Sequence, residues 1–373
     1  PVGAALTAMQ AGVPAIAISV AIDPREARAE PRFASTLAAF DDAARLVDDK
    51  WSLAVFPRIT EVGEKILVRL GLDATDDLAF APNTHELVYR LLSCLPTGAR
   101  VVTTTSEFHS AHRQLSRLAE EGLDVRFVDV SDRARASERL LEAVSAGGDL
   151  LIVSAVFFED AFIVERLDEI IAAAQAAGMW VLVDAYHAFN VVPLHWPEDR
   201  SRLFVTGGGY KYAELGEGVC FLRVPRGCEL RPRQTGWFAD FGALEGARSQ
   251  AVGYGPGGAR FWGATFDPTP FYRAQAVLAH FDELGLDVPA LRAISMAQTA
   301  LLAGLLGGGG ATLTSPADPA RRGGFVTVRT PHAHEAAKRL RERGVFVDAR
   351  GDGLRLGQRV SGVLLRYAPE RTE

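Results

Sequence analysis

Cysteine is scarce in this chain: three among 373 residues, Cys94, Cys220 and Cys228, with no C-x-x-C spacing. Such usage makes no disulfide framework and suits a reducing cytoplasm. Cys94 and Cys220 read as small buried hydrophobes. An excess of positive charge is also missing, because 40 Lys and Arg face 46 Asp and Glu, for a net charge of -6. That argues against a nucleic-acid or polyanion surface, although backbone amides can still hold a single phosphate group. No apolar run approaches the roughly 18 residues that span a bilayer, so no membrane partner is expected. The apolar stretch 11–20 lacks the basic flank of a signal peptide and reads as a buried strand. His109 with His112, and His332 with His334, have no Cys or carboxylate arrangement around them that would make a metal site. Neither G-x-G-x-x-G after the first strand nor G-x-S-x-G is present.

What the chain does have is apolar bulk, 48% hydrophobic residues with 36 glycines, enough for two or three domains. From Trp51 onward apolar strands alternate with amphipathic helices. Strands are expected at 78–80, 100–104, 125–128, 150–156, 180–184, 203–205 and 219–224. The run 150–156 is apolar almost throughout, as a parallel strand covered on both faces must be. The alternation predicts an α/β fold built on a mainly parallel, doubly wound sheet. Beyond Pro225 the pattern changes. Residues 231–263 are a loop region rich in Gly, Arg and aromatics, and helices follow at 270–284 and 288–306. Gly307 to Gly310 read as a loop. The strand 324–329, the helix 334–343 and the strands 345–349 and 354–356 suggest a small α+β domain. The expected division is an atypical N-terminal segment (1–48), a large domain (49–265) and a small C-terminal domain (266–373).

Chemistry concentrates at Lys211, in Gly207-Gly208-Gly209-Tyr210-Lys211-Tyr212, downstream of the strand ending Asp184-Ala185-Tyr186-His187. A lone lysine is ordinarily solvated. A lysine that follows a buried-strand aspartate by a short crossover is how an enzyme holds pyridoxal 5'-phosphate (PLP): the amine forms the Schiff base and the carboxylate pairs with the pyridinium nitrogen. Burying Asp184 costs several kcal/mol unless it is paired; its bland alternative is a cap on the next turn. His187 can reach the cofactor's phenolic oxygen or ring face, or be a satisfied core histidine. Asn83 and Thr84 sit at a strand-to-helix turn, where free N–H groups bind phosphate, although capping alone also explains them. Phe108 follows a strand and suits stacking on a pyridine ring. Tyr210 suits a phosphate contact or general acid work. Arg355, on a strand, suits bidentate pairing with a substrate α-carboxylate or a surface ion pair.

With these residues in view, residues 49 to about 357 resemble the fold-type-I PLP enzymes of aminotransferase class V, and most of all kynureninase and its relatives. The resemblance is carried by Ala81-Pro82-Asn83-Thr84-His85-Glu86-Leu87, Glu107-Phe108-His109-Ser110, Val183-Asp184-Ala185-Tyr186-His187-Ala188, Tyr210-Lys211-Tyr212, Thr235-Gly236-Trp237-Phe238 and Arg260-Phe261-Trp262-Gly263. It implies Lys211 as the Schiff-base lysine, Asp184 on the pyridine nitrogen, His187 beside the cofactor and Phe108 stacked on its ring. It puts Thr84 and Tyr210 at the phosphate end, and Arg355 on the substrate carboxylate. It also implies a homodimer in which Trp237 reaches a cofactor phosphate across the interface.

The chain departs from that pattern in four places. The family's N-terminal Gly-Asn-Ser-Leu-Gly-type segment is absent. Gly263-Ala264 stands where kynureninases place a Ser-Asn pair. No cysteine follows Cys228, whereas cysteine desulfurases carry one on a C-terminal-domain loop. The pattern also stops after Gly357, while residues 2–45 resemble an interior piece of a survival-protein-type acid phosphatase or 5'-nucleotidase without its metal-binding Asn-Asp-Asp-Gly start. The expected function is a PLP-dependent, kynureninase-like reaction on an L-amino acid, with Lys211, Asp184 and Tyr210 catalytic. The alternatives are a class V aminotransferase and an impaired PLP-binding remnant.

Overall fold

A computed structural model describes residues 34–243 and 251–357. The expected strand within 11–20, most of the phosphatase-like stretch and the C-terminal tail lie outside the described residues.

The large sheet has seven strands: β1 (Asp77–Ala81), β2 (Arg100–Thr104), β3 (Asp124–Val128), β4 (Leu150–Ser154), β5 (Trp180–Asp184), β6 (Leu203–Gly208) and β7 (Cys220–Val224). Their spatial order is β1-β7-β6-β5-β4-β2-β3, with β6 through β3 parallel and β7 antiparallel to both of its neighbours. This is the mainly parallel, doubly wound sheet that the alternation predicts. Strand side chains alternate between faces, and the two faces feed separate cores. Leu151, Val153, Val181, Val183 and Val205 pack on one side, under the helices Phe56–Arg69, Ala136–Ser145 and Leu167–Ala176. Leu150, Ile152, Leu182 and Phe204 face the other core, with Leu87 and Leu91 of helix Thr84–Leu92 and Leu115 of helix His109–Ala119. A strand apolar at every position is therefore what these two cores require.

The second sheet is β8 (Thr312–Leu313), β9 (Phe325–Arg329), β10 (Asp348–Arg350) and β11 (Gly353–Gly357), antiparallel in the order β10-β11-β9-β8. Its core joins Val326, Val328, Leu354 and Leu356 to Leu302. Three details differ from expectation. The helix expected to end at 306 runs Val288–Gly308 and takes in two of the four glycines, and β8 follows it directly. By length and composition that same helix is apolar enough to cross a membrane, contrary to the expectation that no segment comes close. In the fold it is tied to neighbouring loops instead, since Arg292 donates to the carbonyls of Pro319, Ala320 and Arg322. Finally, helix Thr269–Glu283 buries Phe271, Ala274 and Leu278 in the core of the large sheet, although it lies past residue 266.

The small sheet docks at the carboxyl ends of the parallel strands. Phe162 bridges Arg322, the Gly323 N–H donates to the Ala161 carbonyl at 2.7 Å, and Thr327 Oγ1 donates to the Glu159 carbonyl at 3.2 Å. In open α/β sheets ligands bind at that edge.

Candidate functional site

Residues from both sheets meet where β2, β4, β5 and β6 end. Asp184 ends β5, and its Oδ1 accepts the Tyr186 N–H at 2.8 Å, which turns the chain sharply and presents His187 to the same edge. Lys211 arrives from the loop after β6. Gly208 lets that loop pass close, because a Cβ there would stand 2.6 Å from Cys220 Sγ and 2.8 Å from the Tyr186 ring. Asn190 anchors the loop from behind. It adopts φ 68°, a left-handed conformation that asparagine tolerates better than most residues. Its Nδ2 donates to the Tyr212 carbonyl at 3.1 Å, and its Oδ1 accepts from Arg69 at 2.8 Å.

Lys211 Nζ lies 2.7 Å from His187 Nε2, with the ammonium 4.7 Å from the Tyr186 ring centroid and 5.5 Å from that of Phe108. Arg355, on β11, brings Nη2 to 3.5 Å from the same His187 nitrogen, and its guanidinium lies 4.3 Å from the Phe325 ring centroid. Arginine is always a donor, so His187 Nε2 holds the lone pair and the ring proton sits on Nδ1. Burial, then the Lys211, Arg355 and Arg350 charges, holds His187 well below its ordinary pKa, so the imidazole is neutral.

The same burial acts on the other ionisable groups. It brings Lys211 down to about 7, with Arg355 lowering it further and Asp184 opposing. It raises Asp184, against the lowering effects of the Tyr186 N–H and the Lys211 charge. Arg355 is shifted down, again chiefly by burial, and its Nε is buried with no hydrogen-bond partner. An amine near neutrality, a half-buried carboxylate raised in pKa and an unsatisfied guanidinium N–H together suit a ligand with a carbonyl, a cationic nitrogen and a carboxylate.

At the opposite wall, Asn83 Oδ1 caps helix Thr84–Leu92 by accepting the Glu86 N–H at 2.9 Å. Cys220 Sγ and the Tyr186 ring both crowd Gly208, and the Thr84 backbone bears electrostatically on Cys220, so this helix start adjoins the lysine loop. A helix N-terminus is an anion site. Tyr210 is 45% exposed and within electrostatic reach of Tyr186. Trp237 is also partly exposed; its Nε1 donates to Thr265 Oγ1 at 3.2 Å and its ring packs on Phe238 and Phe241, away from the lysine. Thus Lys211, Asp184, His187, Phe108 and Arg355 are brought together, Asn83, Thr84 and Tyr210 border them, and Trp237 stands apart.

Some contributors were not expected from the sequence. Asn190 was one, and its only advance signal was an amide side chain within the apolar stretch Ala188-Phe189-Asn190-Val191-Val192. Arg350 and Asp348 on β10 face the pocket, with Arg350 5.8 Å from the Phe108 centroid and Asp348 Oδ2 3.9 Å from Arg355 Nη1. From the pocket a groove of about 740 Å³ opens between the sheets, lined by Ser106, Arg133, Phe158, Thr327, Arg350 and Arg355 among others.

Known proteins bear on this geometry in three ways. Residues 291–361 match the Kynureninase C-terminal domain. The chain is 25% identical over 320 residues to "Kynureninase" of Pseudomonas fluorescens, covering 80% of this chain and 74% of that protein. Among solved structures, the apo cysteine desulfurase of Thermococcus onnurineus NA1 superposes with a TM-score of 0.71 at 16% identity, covering 91% of this chain and 94% of that one. The cystine C-S lyase C-DES, in complex with its product cysteine persulfide, gives 0.71 at 19% identity, covering 90% and 93%. The fold is that of the fold-type-I PLP-dependent enzymes. With the pocket geometry, these likenesses indicate a PLP-dependent class V enzyme whose cofactor is pyridoxal 5'-phosphate. They give no support to the phosphatase resemblance of residues 2–45.

Proposed function

We propose that the chain is a kynureninase-like enzyme that cleaves the Cβ–Cγ bond of an L-amino acid hydrolytically. One observation carries this reading. Arg355 lies inside the stretch that matches the Kynureninase C-terminal domain, and it stands 3.5 Å from His187, itself 2.7 Å from Lys211. That line of groups suits an α-amino acid whose carboxylate meets Arg355 while its Cα faces the amine.

Lys211, neutral in an appreciable fraction near pH 7, attaches the cofactor and later takes the Cα proton. Pyridoxal phosphate, when bound, supplies an electron sink for the charge left at Cα. Asp184 stabilises a cationic ring nitrogen. His187 stays neutral and offers Nε2 as an acceptor. Phe108 covers the ring, the N–H groups at the start of helix Thr84–Leu92 and the Asn83 and Thr84 side chains hold phosphate, and Tyr210 contacts phosphate or protonates the leaving fragment. Burial of His187 and the partial burial of Lys211, Asp184, Phe108 and Arg355 shield the reacting centre and strengthen its electrostatic contacts, while Asn83 and Tyr210 stay exposed at its border. As a pair of chains, Trp237 would serve the partner's phosphate site; its partly exposed ring supports that expectation.

A cysteine-based desulfuration is disfavoured. Cys94 and Cys220 are pushed up by burial to about 12 and about 11, and Cys228 is raised too, so none is a ready thiolate. The free thiols fit a reducing compartment. Transamination shares the first steps, so product analysis is the deciding test. With kynurenine as substrate, anthranilate plus alanine supports hydrolysis. A keto acid with pyridoxamine phosphate overturns it in favour of an aminotransferase, and turnover of no amino acid favours an impaired remnant.

A further inference from the structure

Glu107 has no part in the scheme above. It lies between β2 and helix His109–Ala119, immediately before Phe108, and is 3% exposed. Three donors close around its carboxyl: Thr104 Oγ1 at 2.7 Å and the Ser154 N–H at 3.1 Å on Oε1, and Ser154 Oγ at 2.6 Å on Oε2. Thr104 ends β2 and Ser154 ends β4, so one side chain ties the carboxyl ends of neighbouring strands. Ser154 is in turn the direct register partner of Asp184 on β5.

The bonding is reversible in a way that a purely structural clamp does not need. A hydroxyl donates to a carboxylate or accepts from a carboxylic acid, so Thr104 and Ser154 satisfy Glu107 in both states. The charge that bears on it from the pocket side is Asp184. On the loop side Arg133 and Glu159 converge on Ser106 Oγ, and Arg133 is shared between Glu159 and Asp160. Burial foremost, with Asp184 adding to it against the hydroxyl bonds, lifts Glu107 to about 7. Two desolvated carboxyl groups that share Ser154 as a neighbour disfavour joint ionisation.

We propose that Glu107 is a positioning residue of the cofactor site, holding the ends of β2 and β4 and the Phe108 backbone, and that it releases its proton to solvent when the charge of Asp184 becomes paired. The proposal rests on the reading of Asp184 as partner of the cofactor's ring nitrogen. With Asp184 unpaired, Glu107 retains its proton in part. Once Asp184 faces a cation, the repulsion falls and Glu107 ionises. The carboxylate so formed adds a second negative charge behind Asp184 and favours the protonated ring nitrogen.

The test is proton counting. Pyridoxal 5'-phosphate is added to weakly buffered apoprotein at pH 7 with an indicator dye, for native protein and Glu107→Gln, and release is expressed per cofactor bound. The glutamine keeps the size and the hydrogen bonds but cannot titrate. Native protein is expected to release about half a proton more than the variant, since a group with pKa about 7 is half protonated there. The difference should fade above about pH 8, where Glu107 is already ionised. Equal release per bound cofactor overturns the proposal, whereas failure of native protein to bind the cofactor at all overturns the reading of the site beneath it. If Glu107→Gln does not fold, infrared spectra of native protein with isotope-labelled glutamate carboxyls decide: a protonated carboxyl band that disappears on cofactor addition supports the proposal, and one that persists overturns it.

Discussion

The two ends of the large sheet treat buried charge in opposite ways. At the amino-terminal end, Arg223 on β7 pairs with Asp76 at 3.1 Å, with side chains only 4% and 5% exposed. Its Nη1 also fills the Arg200 and Leu203 carbonyls at 3.0 and 2.6 Å. At the carboxyl-terminal end, His187 and Glu107 are as buried, and Lys211 and Asp184 are half-buried, yet each has its ionisation moved toward the neutral form. Desolvation is costly at both ends. The fold answers it with a fixed ion pair at one and with shifted protonation at the other. Burial alone therefore does not mark the working end of the sheet; incomplete compensation does.

The sharpest way to break this contrast is at Lys211. Lys211→Ala should abolish the visible absorbance of protein-bound pyridoxal phosphate and lower turnover by more than about 10³-fold. Its melting temperature should not fall, because a desolvated amine is removed. A variant that keeps both band and turnover would end the assignment. The opposite end should behave in reverse. Asp76→Asn strands the buried Arg223 guanidinium and should cost roughly 3–5 kcal/mol in denaturant unfolding, with the cofactor band retained in the folded fraction.

Much of this contrast was legible in the sequence, and the reasons differ by residue. Asp184 and Lys211 could be found because a carboxylate closing an apolar strand, and a lysine among glycines, each violate a local expectation. β4 and β5 were found because apolar runs on either side of an amphipathic helix admit few other readings, and β6 and β7 because they are short apolar runs set between loops. Glu107 was hidden because a glutamate at a strand-to-helix loop resembles an ordinary surface charge, and its burial depends on Thr104 and Ser154, which come from two different strands. Arg350 and Asp348 were hidden for the same reason, since only the docking of the small sheet aims them at Phe108 and Arg355. The pair Arg223 and Asp76, 147 positions apart, left no sequence signal at all.

A pH series probes the working end more gently. The ordinary lysine value is 10.5, and burial brings Lys211 to about 7. Only the neutral amine attacks a carbonyl, and a lowered pKa means that it is present above about 7 rather than above 10. The rate of cofactor uptake by apoprotein should therefore rise about tenfold per pH unit below 7 and level off above it, followed as growth of the visible band in stopped flow. The linked stability has the same sign: the folded state bears the cost of a buried ammonium below pH 7, and that cost is lost as pH rises toward the unfolded value. Uptake that keeps climbing to pH 10 would mean the amine is not poised.

The smallest expected effect separates cap from phosphate site at Asn83. Its Oδ1 accepts the Glu86 N–H at 2.9 Å, a cap worth about 1 kcal/mol. Asn83→Asp preserves the acceptor and favours the helix dipole, but it places a negative charge where a phosphate is expected. Asn83→Ala should lower stability by about 1 kcal/mol and weaken cofactor binding modestly. Asn83→Asp keeps the cap acceptor but loses the Nδ2 donation to Glu86 Oε1 and sets two carboxylates together, so it should lie at or below native stability, and it should weaken binding more than the alanine does. Matched titrations of pyridoxal 5'-phosphate and of unphosphorylated pyridoxal read the difference directly, since only the phosphorylated form feels the added charge. Equal losses for the two ligands would make Asn83 a cap and nothing else, and would move the phosphate away from the start of helix Thr84–Leu92.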